Sequence, residues 1–270
     1  MFAQGYDIAR NWSARSGLDS GPVASLPRAF DVVLAEVADT LSDEASRDYL
    51  RFHAPRYRYL LGAVAEVIGG RPPAGVRVLD VGPAYQTALL RAMWDGLVVD
   101  TLGFGDVRFA PREGERHFHV DLNDTAGADV VEGGHDLVVL AEVIEHLYTA
   151  APTVLAFLRQ FLLPGGRLLL QTPNAVALPR RLKLLAGRNP AEPIRPDRFD
   201  PGHFHEFTVA ELAAAAGAAG LTVERVDLAN YFANGGRLRR RYNDLVAPRL
   251  PGSLRDGITM VLTAPAAPGT

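Results

Sequence analysis

Two segments of the chain place reactive side-chain types at informative spacings. The first is Val78-Leu79-Asp80-Val81-Gly82, an apolar run closing on a carboxylate and a glycine. A glycine there lets a ligand approach the backbone, and the carboxylate can hold a cationic or hydroxyl-bearing group. The same residues also suit a plain strand-to-helix turn. The second is Gly202-His203-Phe204-His205-Glu206-Phe207-Thr208. Imidazole titrates near neutrality, so His203 or His205 can take a proton from a hydroxyl, or either can tie a loop down by hydrogen bonds. A His-x-His pair also suits a metal, but no clear third ligand accompanies it, so no metal is expected. Basic clusters at Arg180, Arg181 and Lys183 and at Arg237–Arg241 read as solvated faces or as hosts for an anionic small molecule.

These residues need a scaffold, and the apolar pattern supplies one. Residues 1–26 show no sustained period and read as an irregular arm, in which Tyr6 and Trp12 either close over a site or simply pack. Phe30, Val33, Leu34, Val37 and Leu41 share one helical face. A second helix is predicted through Tyr49, Phe52, Tyr59, Leu60, Val64 and Val67, stopping at Gly69-Gly70. Short apolar runs follow at 76–81, 97–104, 117–120, 136–140 and 167–171, alternating with helical or turn-rich stretches. That alternation implies buried parallel strands in an α/β arrangement. A helix over 149–163 is stopped by Pro164-Gly165-Gly166. Thr208-Val-Ala-Glu211 is a capping box that opens a further helix, and 221–228 and 258–263 read as two closing strands. The expected layout is an arm with helices over 1–53, a main domain over 54–265 with insertions near 175–203 and 230–256, and a tail at 266–270.

The stretch from His135 to Asn174 is more specific. It runs His135-Asp-Leu-Val-Val-Leu-Ala-Glu-Val-Ile-Glu-His-Leu147, then a helix, then Leu163-Pro-Gly-Gly166, then a strand closing in Thr172-Pro-Asn174. With the Asp80 strand, this ordered set resembles the class I S-adenosylmethionine (SAM) dependent methyltransferases, in the branch that includes ubiquinone-biosynthesis enzymes. The resemblance covers about residues 55–175. It implies a Rossmann-like, seven-stranded, mostly parallel sheet with helices on both faces, and SAM as cofactor. It places Asp80 and Gly82 against the amino acid moiety of SAM, Asp121 with Leu122 toward the adenine, and Ala141 and Glu142 along the cofactor. Glu145 and His146 become either structural or part of the substrate side, and the 202–208 segment matches a pattern near the pocket mouth. Ala84 and Gln86 stand where the family loop has its second and third glycines. Asp106 lies one place beyond the usual ribose-binding acid.

The bulk numbers are compatible with this reading. The chain has 270 residues, is 48% hydrophobic and carries a formal net charge of −3, with no cysteine. It is large enough for a core without disulfides or cysteine–zinc staples. The charge gives no global pull toward nucleic acid, and no run approaches a membrane span. A cytoplasmic enzyme methylating a hydroxyl of a small molecule, with an anionic acceptor among the options, is the expected function. Oligomeric state is not legible. A non-catalytic binding or scaffolding member of the same fold is the rival, on account of the altered glycine loop. A nicotinamide enzyme would need Gly-x-Gly-x-x-Gly after the first strand, and Gly82-Pro-Ala-Tyr-Gln-Thr does not supply it.

Overall fold

The computed structural model describes residues 25–125, 128, 134–197, 201–231 and 249–267. The N-terminal arm with Tyr6 and Trp12, and the Arg237–Arg241 cluster, lie outside the described residues. Seven strands make one sheet: β1 Arg77–Val81, β2 Val98–Gly103, β3 His117–His119, β4 His135–Ala141, β5 Leu162–Pro173, β6 Thr222–Ala229 and β7 Gly257–Thr263. Their spatial order is β3-β2-β1-β4-β5-β7-β6. The first five pair in parallel, and β7 runs antiparallel to both β5 and β6. Strand order therefore reverses between β1 and β4, and the crevice beyond their carboxyl ends is where such sheets bind ligands.

Seven α-helices occur among the described residues, α1 Phe30–Asp39, α2 Glu44–Phe52, α3 Ala54–Ile68, α4 Tyr85–Met93, α5 Ala151–Arg159, α6 Leu178–Leu185 and α7 Val209–Ala218, and all but α6 contribute buried residues. The single helix predicted over 49–67 is in fact two, jointed at His53. Pro55 is the cause: it lacks an N–H and its ring crowds the preceding turn, so it begins α3 rather than continuing α2. Gly69 ends α3 in the left-handed conformation, as its sequence position predicts. The capping box of α7 forms as read, with Thr208 N donating to Glu211 Oε2 at 2.7 Å and Glu211 N to Thr208 Oγ1 at 3.3 Å.

Period-two alternation splits the core into two layers. Leu79, Val81, Val138, Leu140, Leu168 and Leu170 face α5 and α7. Val78, Val99, Leu137, Val139 and Leu169 face α1, α3 and α4. The helices of 30–53 thus share a core with the main sheet. At the amino end of the strands, Asp100 accepts from His135 Nε2 at 2.9 Å, Arg77 Nε at 2.7 Å and Arg116 N at 2.7 Å. Burial alone would raise this carboxyl, but those donors outweigh it and hold it well below the usual range. This network clamps β2, β4 and the segment before β3 together, at the end of the sheet opposite the crevice.

Candidate active site

The crevice is built from strand ends. Gly82 follows β1 with φ 73°, and a Cβ there would come within 2.8 Å of Val143 Cγ2. Gly103 ends β2 with φ 131°, its missing Cβ directed at the Gly82 backbone 3.6 Å away. At Gly82 a Cβ has no room, whereas at Gly103 the contact would be ordinary and it is the positive φ that favours glycine. Glu142 follows β4 with φ 56°, the single non-glycine residue at positive φ among the described residues. Such a conformation costs free energy, and it turns the Glu142 side chain inward beside Glu145.

Asp80 is fully buried at the end of β1. Thr87 Oγ1, from the first turn of α4, donates to Asp80 Oδ2 at 2.5 Å and accepts from Ala84 N at 3.0 Å. Burial pushes the Asp80 carboxyl up to about 7, against the bond from Thr87. Sequence reading missed Thr87; its signal was a hydroxyl seven residues beyond Asp80, across the turn. Gln86 does not crowd the crevice. Its side chain folds back, with Nε2 donating to the Gly82 carbonyl at 3.0 Å, so it supports the loop from behind. Ala84 sits just before α4 in extended backbone, where no glycine is required.

The other expected cofactor positions follow β2 and β3. Asp121 accepts from Asn123 N at 2.9 Å, and Leu122 is buried in the core. Asn123, which sequence reading passed over, staples this loop to the one after β4 by accepting from Tyr148 N at 2.8 Å and Thr149 N at 3.2 Å. Asp106 is engaged by a neighbour: it accepts from Arg108 N at 2.9 Å and Arg108 Nη2 at 2.7 Å, while the Arg108 guanidinium lies over Phe109 at 5.3 Å. Its carboxylate therefore faces a neighbouring cation. Arg56, also unremarked in the sequence, is buried with Nη1 3.8 Å from Glu142 Oε2.

The turn after β4 carries the densest chemistry. Glu145 is completely buried; its Oε2 accepts from Thr172 Oγ1 at 2.9 Å, and its backbone carbonyl accepts from Phe204 N at 2.8 Å. Burial raises the carboxyls of both Glu142 and Glu145, and each acts on the other. His146 Nδ1 donates to the Gly202 carbonyl at 3.0 Å, and His203 Nδ1 to Glu206 Oε1 at 2.8 Å. A carbonyl or carboxylate can only accept, so these bonds place a proton on Nδ1 of each ring and turn Nε2 away from them. Glu206 is held in turn by Arg180, and together with His203 that cation outweighs the burial that would raise it. The two imidazoles meet edge to plane, centroids 4.7 Å apart.

The structure thus brings His146 and His203 together and separates them from His205. His205 packs on Phe207 with centroids 4.6 Å apart, faces Glu211 Oε1 at 3.5 Å, and is half exposed. Of the His-x-His pair only the first member enters the cluster: extended backbone would set both on one face, but the chain bends at Phe204 and sends His205 the other way. One ligand atom each from Glu145, His146 and His203 lies within 4.8 Å of the others, so two donors from across the fold join His203, and His205 is not among them.

The residues present suit SAM. Asp80 Oδ1 and Glu142 Oε1 are buried without a hydrogen-bond partner, and such acceptors at strand ends fit a ligand bearing an ammonium and ribose hydroxyls.

Comparison with known proteins agrees with this geometry. The sequence profile of the methyltransferase-domain family matches residues 51–226, more than half of the chain. No curated protein matches in sequence. Among solved structures, a protein described as a sarcosine dimethylglycine methyltransferase from Galdieria sulphuraria superposes with TM-score 0.52 at 13% identity, covering 87% of this chain and 98% of that one. A complex of the Haloferax volcanii Trm112 methyltransferase activator with a methyltransferase gives TM-score 0.53 at 14% identity, covering 91% and 100%. The 4+2 cyclase SpnF gives 0.53 at 16% identity, covering 95% and 100%. At these identities the structures show a shared fold and no more. The profile match decides the family: this chain belongs to the methyltransferase-domain family of SAM-dependent methyltransferases, and its cofactor is SAM.

Proposed function

We propose that the protein is an enzyme that transfers the methyl group of SAM to a hydroxyl of a small-molecule acceptor. The observation that carries this reading is the His146–His203 pair, set at the carboxyl end of β4 and β5 with a proton placed on Nδ1 of each ring. SAM supplies an electrophilic methyl on a sulfonium. The chain must then aim a nucleophile along the line of that bond and take its proton. Nε2 of His203 suits that task, with His146 beside it, and Glu206 stabilises the His203 imidazolium once the proton has moved, as a carboxylate-backed histidine does. His205, directed at Glu211 and solvent, is left out of this reading. Asp80, Gly82, Asp121, Leu122, Ala141 and Glu142 hold the cofactor, with Ala84 and Gln86 shaping the loop behind it and Asp106 serving the ribose. The test is calorimetric binding of SAM followed by single-turnover assays on a hydroxylated acceptor panel. Folded protein that fails to bind SAM removes the reading. Tight SAM binding without turnover on any acceptor supports a binding subunit instead.

One observation favours a second reading of the same cluster. Two imidazoles and a carboxylate within 4.8 Å make a donor set for a divalent cation, with Gly202 and Glu206 orienting the rings from outside as such sites require. A cation held there would lower the acceptor's hydroxyl pKa in place of an imidazole base. Exhaustive chelation separates the two: activity that survives it belongs to the histidines alone, and activity restored by added metal belongs to the cation.

A further inference from the structure

The helix α6 is oriented inside out. None of its residues is buried. Arg180 turns toward the protein and pairs with Glu206, whereas Leu182 and Leu185 share the opposite face and are 53% and 84% exposed. Leu184, on the Arg180 side of the helix, is also 60% exposed, and Ile194, on the following loop, 61%. A helix that folds only for its own domain buries its leucines and exposes its arginine. Here the apolar side chains are placed where nothing among the described residues covers them.

Charge says what does. Residues 175–191 contain four basic residues and no acidic one. Arg181, Lys183 and Arg188 are exposed, and no ion pair engages any of the three among the described residues. A short helix with leucines on one face, flanked by basic side chains that no carboxylate engages (Arg181 Nε donates only to the Val176 carbonyl, at 2.6 Å), matches an anionic lipid surface. Leucines enter the acyl boundary, and the long basic side chains reach back to the phosphates. A protein partner would have to supply both an apolar slot and a matching row of acids, whereas a bilayer supplies both chemistries without shape.

We propose that α6 seats the protein on an anionic bilayer surface. Among the described residues no helix is long and apolar enough to cross a membrane, so the attachment is peripheral. The placement bears on the site. Arg180 of α6 holds Glu206, and Glu206 holds His203, so the helix is one ion pair away from the histidine cluster. Resting on the methyl-transfer reading above, the acceptor then comes from the lipid surface and is amphipathic.

The test is flotation of the full chain with vesicles of phosphatidylcholine alone and with about one quarter phosphatidylglycerol. Binding is expected with the anionic vesicles and not with the neutral ones. It should fall steeply as salt rises, since surface charge is screened within about 8 Å at physiological ionic strength. L182S/L185S should abolish binding, and each of R181E, K183E and R188E should weaken it about fivefold or more, the factor expected for one basic residue near such a surface. These exposed substitutions leave thermal unfolding unchanged. No binding to anionic vesicles, or binding that L182S/L185S leaves intact, overturns the proposal. So does a concentration-dependent dimer, or an acidic protein partner, that L182S/L185S abolishes while vesicles are ignored. Calorimetric binding of SAM is measured in parallel, so loss of the methyltransferase reading shows there and leaves the vesicle result standing.

Discussion

His146 and His203 stand with their rings at 84° and their centroids 4.7 Å apart, one from the turn after β4 and the other from the segment before α7. Fifty-seven positions separate them in the chain, but the Gly202 carbonyl and the Glu206 carboxylate lock both at the same edge of the crevice. His203→Ala is expected to lower kcat by about 100-fold or more, the range of a lost general base, with SAM affinity unchanged. Glu206→Gln should cost less, on the order of tenfold, because a weaker orienting bond remains. Single-turnover rates with calorimetric SAM binding check both; a His203→Ala enzyme at full rate would sink the assignment.

Asp80 makes the stability of the cofactor-free protein depend on pH. Its carboxyl is raised by burial to about 7, against about 3.9 in an unfolded chain. Between those values the folded state holds a proton that the unfolded state has released. Stability from this group is therefore full below about pH 4 and declines as pH rises toward 7. Asp80→Asn should flatten that decline. Urea midpoints from pH 4 to 7 at constant ionic strength decide it, and parallel curves for the two proteins would refute the role.

Gly82→Ala should damage both fold and site. The substitution forces an alanine to φ 73° and drives its Cβ to 2.8 Å from Val143 Cγ2. A stability loss of about 1–3 kcal/mol follows from the backbone conformation alone. Relief of the contact pushes the Glu142–Glu145 turn outward, so SAM affinity should fall at least about tenfold. Thermal melts and calorimetry measure the two effects separately. An Ala84→Gly change, by contrast, should leave SAM binding nearly unaltered, since Ala84 already adopts extended backbone.

Asp100→Asn should destabilise without touching chemistry. It leaves His135, Arg77 and Arg116 facing a weaker partner in a buried position, at a cost of about 3 kcal/mol. Because the network sits at the amino end of the strands, SAM affinity and kcat measured well below the melting temperature should match the wild type. A loss of SAM affinity comparable to that of Gly82→Ala would show the two ends of the sheet to be coupled.

The amino-acid sequence by itself determined the strands, most helix stops and the family. Those depend on local patterns: apolar runs of strand length, the Thr208–Glu211 capping box, Gly69 after α3, and the ordered segment from His135 to Asn174. It also marked Asp80, Gly82, Glu142 and Glu145, because they lie next to strand ends. It did not show that His203 belongs with His146 while His205 does not, that Gln86 folds behind its loop, or that Arg108 occupies Asp106. Nor did it show that α6 turns its leucines outward. Each of these depends on which side of a turn a side chain leaves, and on a partner more than a turn away. Periodicity fixes a residue's face within one element, and only packing between elements decides what that face meets.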